Sequence, residues 1–161
     1  MMGFWGNIAD FWSSELAQYK FTNVTPVAPR NDYHANFQAA DIQLYQSFNE
    51  QLPNIYTEFY RALTVEDGSV CWLCLEPNQM IPVHRDYFYV LKTKKNVDVS
   101  KCIRYLVLLE DWQLGHMVQL GNKDLTGWKK GDVWYFDSTV PHCAANAGTA
   151  NFYSCQVSTL K

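Results

Sequence analysis

The chain has 161 residues, 48% of them hydrophobic and 16% aromatic, with a formal net charge of -3. That length suits one domain able to bury roughly 68–70% of its unfolded surface without a disulfide or structural metal. The aromatic share argues against disorder, the charge against phosphate-driven nucleic-acid binding, and the lack of any run of roughly 18 apolar residues against a transmembrane helix.

Residues 1–20 carry Phe4, Ile8, Phe11, Trp12, Leu16 and Tyr19 near helical spacing, with Ser13, Ser14 and Glu15 on a polar face, which predicts a short amphipathic helix. The same stretch lacks the basic start and long apolar run of a signal peptide, so a cytoplasmic location is expected. Residues 21–35, with Pro26 and Pro29, read as irregular chain holding a loop histidine, His34. Residues 36–63 place Phe37, Ala40, Ile42, Leu44, Tyr45 and Phe48 at helical spacing; Pro53 interrupts, and Asn54 is a candidate cap for a second helix, Ile55–Leu63. Asp67-Gly68 marks a turn.

From residue 69 the period shortens. The expected strands are Val70–Leu75, Val83–Val90, Ile103–Leu109, Met117–Leu120, Val133–Phe136, His142–Asn146 and Phe152–Thr159. Turn residues stand between them: Pro77-Asn78, Gly115, Gly121-Asn122, Gly127, Gly131-Asp132, Pro141 and Gly148. Lys92, Lys94 and Lys95 are assigned to a solvated loop. Short strands at this spacing predict a β-sandwich. The expected architecture is one domain over 1–161, mainly β with N-terminal helices. Residues 1–68 form a mostly helical part packed on a jelly roll, or double-stranded β-helix, of residues 69–161.

The five cysteines are an odd number and sit in or beside apolar strand-like runs, as reduced, buried thiols do. Cys71 and Cys74 have Cys-x-x-Cys spacing, but on a strand they face opposite sides, and no second pair completes a zinc site.

The chemistry centres on His84 and Asp86. Two residues apart on a strand, they would point to the same face and Arg85 to the other. With His142 from a later strand they make a two-histidine, one-carboxylate set, which suits non-haem Fe(II) because it leaves positions open. A cupin-like sandwich with another metal, or none, uses the same strands. Arg104 stands in an otherwise apolar strand, where a charge is costly without a partner. Asn146, four residues after His142, shares its face. His116 opens a strand after Gly115 and is a candidate for the pocket mouth or for a structural histidine. Tyr87, Phe88, Tyr89, Trp72 and Trp134 supply aromatic wall or core.

Four elements carry a resemblance: Ile81-Pro82-Val83-His84-Arg85-Asp86, then Cys102–Trp112, Trp128–Asp137 with its Trp128-Lys129-Lys130-Gly131-Asp132 turn, and Val140–Asn146 with its Pro141-His142. In this order and spacing they resemble the core of the Fe(II)- and 2-oxoglutarate-dependent oxygenases, most of all the aspartyl/asparaginyl β-hydroxylase-like group and small phage-type relatives. The resemblance implies a dioxygenase that hydroxylates an amino-acid, peptidyl or other small substrate. His84, Asp86 and His142 would be the catalytic metal ligands, Fe(II) the metal and 2-oxoglutarate the co-substrate. Neither nucleic acid nor membrane is an expected partner.

The pattern departs at one place. Many members carry an arginine about ten residues after the second histidine, with a serine at one remove. Here the arginine slot is Phe152, and the serine is present as Ser154. Arg104 is the expected substitute anchor for the far carboxylate, with Ser154, Asn146 and Tyr105 adding hydrogen bonds. His116 and Arg85 are the expected substrate contacts. The competing reading is a cupin-like metal-binding or structural protein without oxygenase activity.

Overall fold

The β-rich second half of the chain pairs almost entirely antiparallel, strand after strand, around one sandwich. The structure is a computed structural model and describes residues 1–9, 25–26, 43–48, 60–66 and 68–161. Its strands are β1 (Met2–Asn7), β2 (Thr25–Pro26), β3 (Gln43–Phe48), β4 (Ser69–Leu75), β5 (Met80–His84), β6 (Cys102–Leu108), β7 (His116–Leu120), β8 (Lys123–Leu125), β9 (Asp132–Asp137), β10 (His142–Asn146) and β11 (Phe152–Leu160). One helix, α1 (Tyr89–Lys95), follows β5. The large sheet runs β1-β9-β6-β11-β4-β3-β2 and the small one β5-β10-β7-β8. Two facing antiparallel sheets built this way are the predicted double-stranded β-helix.

Strand alternation sets two cores. Leu73, Leu106, Leu108, Phe136 and Phe152 point between the sheets and meet Val118, Leu120 and Ala144 of the small sheet. Trp72, Val107, Val133 and Val157 face the other way and pack with Tyr60 and Leu63, in and beside the helical residues 60–62. Both faces of the large sheet are therefore buried, which is why β4 reads as a continuous apolar run with every residue buried. Cys71 and Cys74 face opposite sides of that strand, and none of the five cysteines forms a disulfide among the described residues.

Three predicted elements change. Residues 2–7 are the edge strand β1, paired with β9, and not the start of a helix. Gly3 and Gly6 weaken a helix there, and a Cβ at Gly3 would lie 2.8 Å from the Tyr135 hydroxyl. Gln43–Phe48, inside the predicted long helix, is instead β3, in register with β4 from Gln43 opposite Cys74 to Phe48 opposite Ser69. The open edge of β4 offers a ladder that outweighs the local helical period. The predicted strand Val83–Val90 stops at His84. Phe88 takes a left-handed backbone (φ 43°), and α1 begins at Tyr89, so Lys92, Lys94 and Lys95 sit on a helix and not in a loop. Residues 60–62, within the predicted helix Ile55–Leu63, are helical, whereas His34, Asn54 and most of the predicted N-terminal helices lie outside the described residues. No helix among the described residues is long and apolar enough to cross a membrane.

Candidate metal centre

β5 and β10 pair so that His84 and His142 stand directly opposite each other, and their rings lie 4.1 Å apart between centroids. Asp86 is not on a strand. The ladder ends at His84, but exposure still alternates along the irregular residues 85–88, with Arg85 outward and Asp86 buried beside the two imidazoles. Asp86 Oδ1 is 3.8 Å from His84 Nε2, and Oδ2 is 3.7 Å from His142 Nε2. Candidate donor atoms of all three lie within 4.8 Å of one another, and no other such cluster occurs among the described residues.

Both imidazoles are oriented by the same device. His84 Nδ1 lies 2.9 Å from the Pro82 carbonyl oxygen and His142 Nδ1 3.1 Å from that of Val140, each two residues back. A carbonyl only accepts, so Nδ1 carries the proton and Nε2 keeps its lone pair toward Asp86. His142 is buried, which pushes its pKa down to about 4; His84 adds to this, and Asp86 opposes it only in part. The ring is neutral, as a ligand must be. Asp86 Oδ2 and His142 Nε2 are both buried without a hydrogen-bond partner among the described residues. Two orphaned atoms side by side, one anionic and one a lone pair, are costly alone. A divalent cation satisfies both, and the donor set fits one that prefers N and O ligands.

Arg104 enters from β6. Its Nη1 donates to Asp86 Oδ1 at 2.9 Å and to Gln156 Oε1 at 2.7 Å, and its Nε donates to Ser158 Oγ at 3.0 Å. The guanidinium lies over the Phe88 ring, 5.2 Å from its centroid. These groups line a cavity of about 400 Å³ between the sheets. Its walls are largely apolar, and Arg85 and Lys92 are the other cations along them.

The remaining sequence-predicted residues divide. Ser154 lines the cavity on the same face of β11 as Gln156, and Arg85 stands exposed at its rim. Tyr105 does not reach it. Next to Arg104 on a strand it must face the opposite side, and it packs against the outer core. Asn146 shares the inward side, as expected, but does not line the cavity. Its Nδ2 donates to the carbonyls of Leu75 and Ala150, at 2.8 Å each, tying the small sheet to the end of β4. His116 is a structural histidine, its Nε2 3.1 Å from the Ala150 oxygen and its ring 5.0 Å from that of Phe152. Phe152, in the expected arginine slot, forms part of the cavity wall.

Sequence reasoning missed Gln156, Ser158 and Cys71. The first two follow from Ser154 by the same alternation, at two and four residues on, and Cys71 sits opposite Gln156 in the ladder.

Residues 34–156 match the sequence pattern of the aspartyl/asparaginyl beta-hydroxylase family. No curated protein matches the chain in sequence. Among solved structures, a prolyl-4-hydroxylase of Pseudomonas putida superposes with a TM-score of 0.63 at 15% identity, over 99% of this chain and 92% of that one. AviO1 of Streptomyces viridochromogenes Tue57 gives 0.56 at 11% identity, over 99% and 89%. A predicted oxalate decarboxylase of Thermotoga maritima gives 0.50 at 15%, over 87% and 96%. At these identities the likeness is one of fold.

Proposed function

Because the chain belongs to the aspartyl/asparaginyl β-hydroxylase family, we propose that it is an Fe(II)- and 2-oxoglutarate-dependent dioxygenase hydroxylating an amino-acid, peptidyl or other small substrate. The observation that carries this reading is the pair of orphaned atoms, Asp86 Oδ2 and His142 Nε2, turned toward one point beside His84. His84, Asp86 and His142 would hold the iron. The iron would let dioxygen, the oxidant, react with a 2-oxo acid and a C–H bond, one oxygen atom going into that bond and the other into the acid as it loses carbon dioxide.

The protein's own part is orientation and charge. A divalent ion, less the charge of Asp86 and with that of Arg104 added, leaves two positive charges at the end of a largely apolar cavity. A dicarboxylate cancels both; a monocarboxylate leaves one buried and unpaired, at a cost of several kcal/mol. Arg104 Nη2 makes no hydrogen bond to a described residue, so it is free to take the far carboxylate while Nη1 keeps Asp86. Ser154, on the neighbouring strand, offers a hydroxyl to the same group. The apolar walls exclude water, and Arg85 at the rim meets the substrate. A prolyl-4-hydroxylase among the fold neighbours adds peptidyl side chains to the substrates worth testing.

Phe152 favours a second reading, a cupin-like metal-binding protein without oxygenase activity, because it removes the usual late cation. Anaerobic addition of Fe(II) and then 2-oxoglutarate separates the two. The oxygenase gives the weak visible charge-transfer band of a chelate, and succinate once air is admitted. Iron binding with no band at millimolar 2-oxoglutarate leaves the second reading.

A further inference from the structure

Asp86 offers a metal two oxygens, and both are within reach of a histidine ligand: Oδ1 lies 3.8 Å from His84 Nε2 and Oδ2 lies 3.7 Å from His142 Nε2. Nothing in the carboxylate itself prevents it from chelating an ion through both. What distinguishes the two atoms is Arg104. Oδ1 accepts from Nη1 at 2.9 Å, whereas Oδ2 has no hydrogen-bond partner among the described residues. A charge-assisted bond of this length is roughly twice as strong as a neutral one. Oδ1 keeps a second lone pair, but turning the carboxylate so that both oxygens face a metal would strain this bond inside a site where Asp86 is 8% exposed.

The guanidinium cannot easily follow the carboxylate, because it is held on three other sides. Gln156 Oε1 takes the same Nη1 at 2.7 Å, Ser158 Oγ takes Nε at 3.0 Å, and the Phe88 ring stacks on its face. Arg104, Gln156 and Ser158 belong to two paired strands, with Arg104 opposite Ser158 in the ladder, so their spacing is fixed by the sheet. The sheet, through Gln156 and Ser158, therefore sets where Arg104 stands, and Arg104 sets which oxygen of Asp86 is available.

We infer that Arg104 and Gln156 are positioning residues that restrict Asp86 to a single metal bond, through Oδ2. This rests on the metal-centre reading above and adds to it. Restricting Asp86 to one bond leaves one more position on the ion for incoming ligands. Gln156 acts here through Arg104, whose Nη1 it holds at 2.7 Å.

The test uses Mn(II) alone on the full chain, read by the water-proton relaxation of the bound ion, which reports how many waters it carries. In a six-coordinate ion with three protein donors, a second bond from Asp86 displaces one water. Arg104→Met should therefore lower the relaxation enhancement per bound ion by about a third. Gln156→Leu, which leaves every charge in place, should lower it in the same direction, and Gln156→Glu, which keeps an acceptor oxygen, should restore it. Native values in both Arg104→Met and Gln156→Leu, with Mn(II) bound, overturn this inference and leave the metal centre standing. If Arg104→Met does not fold, a native value in Gln156→Leu is enough to overturn it. Failure of the unaltered protein to bind Mn(II) removes the metal centre itself, and this inference with it.

Discussion

Asn146 separates a structural role from a co-substrate role, and Asn146→Ala tests which it has. The side chain is 1% exposed and fully engaged. Nδ2 donates to Leu75 O and Ala150 O at 2.8 Å each, and Oδ1 accepts from Gly148 N at 3.0 Å. Alanine deletes all three bonds. At about 1 kcal/mol net for each, the loss is about 3 kcal/mol, and more if the two carbonyls stay dry and unpaired. For a chain of this length that lowers the melting temperature by roughly 6–12 °C. Asn146→Asp should be no better, since it removes both donors and sets a charge against two carbonyl oxygens. The assay is urea and thermal unfolding by circular dichroism, with titration of metal and 2-oxoglutarate into each variant at 25 °C. Stability should fall while both affinities hold. A loss under about 1 kcal/mol, or a weakened 2-oxoglutarate affinity at unchanged stability, would refute the structural assignment and return Asn146 to the cavity.

Gly115 adopts φ +96°, and a Cβ there would stand 2.3 Å from Gly148 N, so Gly115→Ala should lower stability by more than about 1 kcal/mol in a denaturation experiment; a neutral result would contradict a close 115–148 approach. Asp137 tests acid stability. Burial raises its pKa, but hydrogen bonds from Thr139, the N-terminal amine and Lys161 outweigh this and hold the carboxyl well below the usual carboxylate range. A depressed folded pKa gives stability that is present above the unfolded value of about 4 and lost as pH falls. Asp137→Asn should thus be less stable than the native chain at neutral pH, with the gap closing as pH is lowered from about 5 towards 2; a gap independent of pH contradicts this. Cys71 is pushed up to about 12 by burial, which Arg104 opposes only in part. Its thiol should resist alkylation at about pH 8 until the chain unfolds, and rapid labelling of the native protein would show the cavity wall to be open.

How much was legible varies along the chain with what decides each element. From residue 69 on, alternation and turn residues govern local structure, and six of the seven expected strands appear within a residue or two of their predicted ends. Residues 2–7 and 43–48 are different. Their side-chain spacing is compatible with a helix, and they become strands because β9 and β4 present edges to be paired. The partner of β1 lies 125 to 134 residues further along the chain, from Asn7 opposite Asp132 to Met2 opposite Phe136, and no local window contains it. Val83–Val90 failed for another reason. The strand ends at His84, and Phe88 starts the helix from a left-handed backbone that such a residue rarely takes, so its type gives no warning.

The sequence by itself named the candidate donor set. His84, Asp86 and His142 are two imidazoles and one carboxylate, and the His-x-Asp and the Pro-His that hold them carry the signal in their residue types. It also singled out Arg104, since a charge in an apolar strand must find a partner. Tertiary structure decided everything that depends on distance between strands. It set His84 opposite His142 in the ladder, placed Asp86 in the irregular stretch just beyond it, and gave Arg104 the carboxylate of Asp86 as a partner. It assigned Asn146 and His116 to holding the sheets together, because a strand's inward face is longer than the cavity it helps to line, and only the packing of the two sheets fixes where the cavity ends.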